Sequence, residues 1–170
     1  MTVRTFTKLL LVAALVLPTG TGCRAITRKL SEKAAEKAVE ESTGAKDVDL
    51  SSGGIKVQAA NGEKIEIGGG AKMPEGWPDY APQYPGSKIT AAMSTPNGKT
   101  ATMDSSDAPD KVVAFYKDKL TAGGFKQTVA GNFGGMQTLT MQKGNNKTNA
   151  VVTAQRQNDR TMVSISISER

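Results

Sequence analysis

The period of hydrophobic positions changes several times along the chain. Leu9 to Leu17 is an unbroken apolar run, preceded by Arg4 and Lys8 and closed by Pro18. It is too short for a bilayer-spanning helix, which needs about 20 apolar residues. Between residues 24 and 43, Ile26, Leu30, Ala34 and Ala38 recur every fourth position among Ala, Glu and Lys. That spacing predicts a helix with a thin apolar stripe. From residue 45 the period falls to two. Val48 and Leu50, then Ile55, Val57 and Ala59, then Ile65 and Ile67 alternate with polar neighbours, and Asn61-Gly62 marks a hairpin turn. The pattern predicts a three-stranded meander, which has little to bury alone and must dock on something or stay mobile.

The second half is more regular. Ile89, Ala91 and Met93 alternate, Pro96-Asn97-Gly98-Lys99 turns, and Ala101 and Met103 alternate. A helix is predicted next, with Asp107 as its N-cap, Pro109 in its first turn and Asp110 at the third position. Its buried stripe is Val112, Tyr116 and Leu120, flanked by Val113 and Phe115, and Gly123-Gly124 ends it. Four strands follow. Phe125 and Val129 belong to the first, Leu139 and Met141 to the second, Ala150 to Ala154 to the third, and Val163, Ile165 and Ile167 to the fourth. Short turns between strands imply antiparallel neighbours. The expected fold is therefore α+β: a single antiparallel sheet in the order β-β-α-β-β-β-β packed on one helix. A signal segment, a tether helix and the small β-meander precede it.

Two glycine-rich or proline-rich stretches punctuate this pattern. Gly68-Gly69-Gly70-Ala71-Lys72 superficially resembles a phosphate-binding loop, but Ala71 separates the glycine from Lys72 and Met73-Pro74 follows. The motif needs Gly-Lys-Ser/Thr opening a helix, so a hinge is the better reading. Residues 73–86, MPEGWPDYAPQYPG, hold four prolines together with Trp77, Tyr80 and Tyr84. Proline fixes φ and favours extended geometry before it, so an ordered extended lead-in is expected. The three aromatics either cap an open end of the following domain or form a binding ledge for a ligand or partner.

Composition narrows the chemistry. The chain has 170 residues, one cysteine and no histidine. Without histidine, the commonest general base and the commonest neutral metal ligand are missing. A lone cysteine excludes an intramolecular disulfide and a Cys-rich zinc site. Asp107/Asp110 and Asp47/Asp49 are the nearby carboxylate pairs, read as capping and as a solvent face respectively. No cofactor, metal site or enzymatic reaction is expected. Removing Arg4 and Lys8 leaves 20 basic and 16 acidic residues, a net charge of +4. So modest an excess, without basic stripes and interleaved aromatics, does not argue for nucleic acid.

The position of the cysteine is informative. A positive start, an apolar run and the small residues Thr19-Gly20-Thr21-Gly22 form a secretory signal, and Cys23 follows directly. This resembles a bacterial lipoprotein precursor, in which the cysteine is acylated, as with palmitate, and becomes the first residue. Gly22 fits that pattern and Gly20 departs from its preferred leucine. Ordinary cleavage, leaving Cys23 a free thiol, is the alternative. Arg24, Arg28, Lys29 and Lys33 next to the anchor oppose the helix dipole, while a surface of anionic headgroups attracts them. By analogy with enteric bacteria, Arg24 where an aspartate would retain a lipoprotein in the inner membrane favours the periplasmic face of the outer membrane.

Three strings carry a further resemblance: Trp77 to Gly86, Asp107 to Leu120, and Gly123 to Phe125. Together they resemble a set of uncharacterised bacterial lipoproteins in which a Tyr-Pro-Gly strand start precedes a Phe-Tyr-Lys helix and a Gly-Phe turn. The resemblance covers about residues 73–168 and implies the α+β fold and an envelope location, but no activity. The expected organisation is a signal peptide at 1–22, a lipid anchor and tether helix at 23–44, a meander and glycine hinge at 45–72, and an α+β module at 73–170. The expected function is a non-catalytic, membrane-tethered envelope lipoprotein, an interaction module of unknown partner, either an envelope protein or a small ligand. The alternative is a small-ligand carrier or sensor with its site at Trp77, Tyr80 and Tyr84.

Overall fold

The computed structural model describes residues 33–38, 40–41, 45–50, 53–144 and 147–169. The expected signal segment, Cys23 and most of the basic stretch after it lie outside the described residues.

Antiparallel alternation builds nine strands: β1 (Ala45–Asp49), β2 (Gly54–Ala59), β3 (Lys64–Gly68), β4 (Lys88–Thr95), β5 (Gly98–Ser105), β6 (Lys126–Phe133), β7 (Met136–Lys143), β8 (Thr148–Gln157) and β9 (Arg160–Glu169). They form one sheet in the order β1-β2-β3-β4-β5-β9-β8-β7-β6. One helix, α1 (Pro109–Ala122), lies across β6 to β9. The carboxy-terminal part follows the expected β-β-α-β-β-β-β order. The meander is the continuation of the same sheet, because β3 pairs with β4 through Ile65↔Met93 and Glu66↔Ala92. That pairing crosses the expected boundary at 72/73.

The core lies between α1 and the sheet. Val112, Tyr116 and Leu120 are completely buried against Leu139, Val152, Val163 and Ile165. Burying each such side chain is worth about 1.5–3 kcal/mol. Helix α1 ends in a Schellman motif, with Phe125 N–H bonding to Leu120 O at 3.0 Å and Gly124 N–H to Thr121 O at 2.9 Å. Gly124 adopts φ +83° to make it. The N-cap differs from expectation. It is Ala108, in extended geometry and without a side-chain cap bond, and Pro109 takes the first helical position. Asp107 is drawn off by other partners: its carboxylate accepts from the Tyr84 hydroxyl at 2.8 Å and faces Lys111 at 3.6 Å.

Bulges re-aim two strands. A register shift between Ile89 and Ala91 leaves Ile89 buried but turns Ala91 and Met93 away from the core and Ala92 into it. A second shift between Gln127 and Val129 does the same to β6, so Phe125 is buried while Val129 is 46% exposed. A strict period of two placed each of these sets on one face. An inserted residue reverses the alternation beyond it.

Polarity also inverts along the sheet. Over β5, β7, β8 and β9 the face under α1 is apolar and the opposite, open face carries Ser and Thr. Over β1 to β3 the charges Asp47, Asp49, Lys56, Lys64 and Glu66 share the α1 face, which the helix does not reach. The open face there carries Ile55, Val57, Ile65 and Ile67, joined by Met93 of β4. Cross-strand register makes one row over all nine strands: Val48, Val57, Ile65, Met93, Thr100, Ser166, Val151, Thr140 and Val129.

Candidate functional site

The proline-rich segment is ordered by turns rather than extension. Trp77 N–H bonds to Pro74 O, Ala81 N–H to Pro78 O and Ser87 N–H to Tyr84 O, each at 3.1 Å. The last has Pro85 at its second position and Gly86 at its third, at φ +70°. That arrangement suits a type II turn, which needs a residue tolerant of positive φ there. The sequence marked the prolines, but proline preorganises turns as readily as extended chain.

These turns separate the three aromatics. Tyr84 is buried, its ring edge-on to Phe115 at 5.1 Å and its hydroxyl on Asp107. Burial, and then the Asp107 hydrogen bond and charge, push its phenol up to about 12. Trp77 is half-buried and donates its indole N–H to Ala81 O within the same segment. Tyr80 is half-buried against Phe125, 4.9 Å between ring centroids, with the Lys143 ammonium 5.8 Å from each ring. Burial pushes the Tyr80 phenol up, aided by the charge of Glu169. Tyr116, on α1, donates to Pro82 O at 3.0 Å and clamps the segment to the helix; burial raises its pKa as well. The three expected contact residues therefore pack in different places and share no single ledge.

The space between α1 and the sheet is filled. Concavities lie elsewhere. A hollow of ≈ 170 Å³ is bounded by Gly76, Pro78, Tyr80, Asn97, Lys99 and Glu169, with Lys99 Nζ bonded to Gly76 O at 2.8 Å. A larger groove of ≈ 440 Å³ runs between the start of the proline-rich segment and the charged face of β3 and β4, lined by Lys64, Glu66, Lys72, Met73, Glu75 and Ala92. Across it Lys64 and Glu75 approach to 3.6 Å. Glu66 Oε2 is buried there without a hydrogen-bond partner among the described residues. A separate meander and glycine hinge at residues 45–72, as the alternation and glycine run suggest, leaves no place for this groove. The alternation of Lys64 and Glu66 with Ile65 and Ile67 was its visible trace. Among the described residues no group of three or more His, Cys, Asp or Glu side chains comes together to hold a metal. No helix among them is long and apolar enough to cross a membrane.

The second exposed feature is the apolar patch on the open face. Ile55 is 45%, Ile67 50% and Met93 41% exposed, with Val57 and Ile65 half-buried beside them. Large apolar side chains grouped on one uncovered face are characteristic of interaction surfaces.

A protein-family model described as START domain-like matches residues 87–169, just under half of the chain. The match begins beside β4 and ends with β9, so it includes α1 and leaves out β1 to β3 and the proline-rich segment. No curated protein and no solved structure matches the chain.

Proposed function

We propose that the chain is a non-catalytic cell-envelope lipoprotein, acylated at Cys23, that presents its sheet to another envelope protein. One observation carries the choice of a surface over a cavity. The interface between α1 and the sheet is solid, whereas Ile55, Ile67 and Met93 stand uncovered on the other face. A ligand site needs a concave, largely preformed cavity, and a filled interface offers none. The targeting pattern that ends at Cys23 supports the anchor, and Arg24 supports an outer-membrane destination. Fractionation tests the anchor: Cys23→Ser shifts the protein from the membrane fraction to soluble or uncleaved forms, and an unchanged distribution rejects acylation. Capture of envelope proteins by the full chain, compared with an Ile55→Ser/Ile67→Ser variant, tests the surface. A partner retained equally by both rejects this face.

The groove supports a second reading, a small-ligand carrier. Its ≈ 440 Å³ lies in the range of ligand pockets, about 300–1,000 Å³, and the START domain-like match agrees with ligand binding. This site would sit beside Met73 and Lys72, outside most of the matched residues. Thermal shifts with a panel of small amphiphiles separate the readings. A compound that raises the Tm of the chain but not that of Lys72→Ala/Glu66→Gln favours the carrier.

A further inference from the structure

The sheet has two edges, and they are treated differently. The β1 edge is short and its strand carries Lys46, Asp47 and Asp49. It is also occupied: Val48 N–H donates to Glu40 Oε1 at 3.2 Å and Leu50 N–H to Glu36 Oε1 at 3.0 Å. Two carboxylates one helical turn apart thus stand where a neighbouring strand would put its carbonyls. The β6 edge is eight residues long, and Gln127 to Phe133 contain no charge and no proline. All but one of its residues are exposed, and among the described residues no strand lies beyond it.

Such an edge presents a row of backbone N–H and C=O groups ready to pair with another chain. Natural sheets blunt it with charge, proline, bulges or a cover. Here Lys126 and the bulge between Gln127 and Val129 blunt only the beginning of the strand. Beyond the bulge the open face of β6 carries Val129 and Phe133, the latter 58% exposed. Gly131 between them leaves room for the Phe133 ring, since a Cβ there would lie 3.1 Å from two ring carbons. Inward from Phe133 the register continues through Met136 and Gln155 to the exposed Met162. Phe133 and Met136 therefore place large apolar side chains at this edge, with Gln155 separating them from Met162.

We propose that β6 is a self-association edge: two copies of the chain pair β6 against β6, antiparallel, about a two-fold axis. The sheet then continues from one copy into the other. The occupant follows from three features. An isologous strand pair requires an edge that is itself unpaired, and of the two edges only β6 meets this. Charges on an edge strand can meet their like when the same strand of a second copy is laid against it; residues 127–133 bear none. The register with Gly131 on the axis sets Val129 of each copy opposite Phe133 of the other, on the open face. Aromatic and β-branched residues form favourable cross-strand pairs.

The test uses the full chain carrying Cys23→Ser, which removes both lipid attachment and the native thiol. Sedimentation in mild detergent is expected to show a dimer. Val129→Lys/Phe133→Lys, placing charges at exposed positions, raises its dissociation constant at least tenfold while the far-UV circular dichroism spectrum is unchanged. In cells, Val129→Cys/Phe133→Cys on the same background oxidises to a covalent dimer, whereas the two cysteines are too far apart along one strand to bridge within a chain. A chain that stays monomeric overturns the proposal, as does a dimer indifferent to the lysine substitutions. Failure of the cysteine pair to cross-link rejects the register.

Discussion

Tyr84 joins the proline-rich segment to the start of α1 through one hydroxyl, and its neighbours decide how it titrates. In an unfolded chain its phenol has a pKa near 10.0, and in the fold it is pushed up to about 12. The folded state holds the proton more tightly. The stability Tyr84 contributes is therefore complete below pH 10.0 and lost as pH rises through about 12. Tyr80 and Tyr116 shift in the same direction, so the wild-type curve alone does not isolate Tyr84. Urea unfolding across the alkaline range is expected to show a steeper loss for the wild-type chain than for Tyr84→Phe. Parallel curves would remove Tyr84 from the account. The residue was legible in the sequence as a rigid aromatic beside Pro85-Gly86. Its partner was not, because Asp107 stood where a helix cap belongs and the fold brought a phenol to it from 23 positions away.

At the scale of elements, the helical residues 33–38 and 40–41 act as more than a spacer. Glu36 and Glu40 occupy the outer backbone of β1, a contact the sequence reading missed because it followed the alanine stripe. Ala34 and Ala38 are exposed, while Glu36 and Glu40 are partly buried. Replacing both glutamates by alanine is expected to speed amide exchange at Val48 and Leu50 while the global Tm moves little, because an edge strand opens locally without unfolding the core under α1. Unchanged exchange at those two amides would show that the contact does not protect the edge. Helix α1 was far more legible. Its stripe at 112, 116 and 120, its terminal Gly pair and its proline at the first position all agree with one another. The bulges in β4 and β6 were hidden, because a pattern of alternation contains no signal for the one residue that breaks it.

At the scale of the whole molecule, the question is how much β1 to β3 add to the rest. They pair with β4 and bring the Lys64–Glu75 contact, yet their large apolar side chains stay half-exposed or exposed, except for Val48 at 4%. Little apolar area is removed from water there, so little stability is gained by ordering those residues. Chains 24–170 and 73–170 are therefore expected to melt at nearly the same temperature. A shorter chain that fails to fold would make the β3–β4 pairing an integral part of the domain.

The local chemistry of the chain determined its elements. Period-two alternation, the 112/116/120 stripe and turn glycines specify strands, a helix and their antiparallel order, because each acts within a few residues along the backbone. Tertiary structure decided what those elements face. Helix α1 is long enough to cover only β6 to β9, so the sheet beyond β5 keeps an uncovered charged face and, behind it, an apolar one. The two bulges decided which side chains reach the core. The contrast between a capped β1 edge and an open β6 edge arose only when nine strands were put in spatial order, since an edge is a property of having no neighbour and no single strand encodes that.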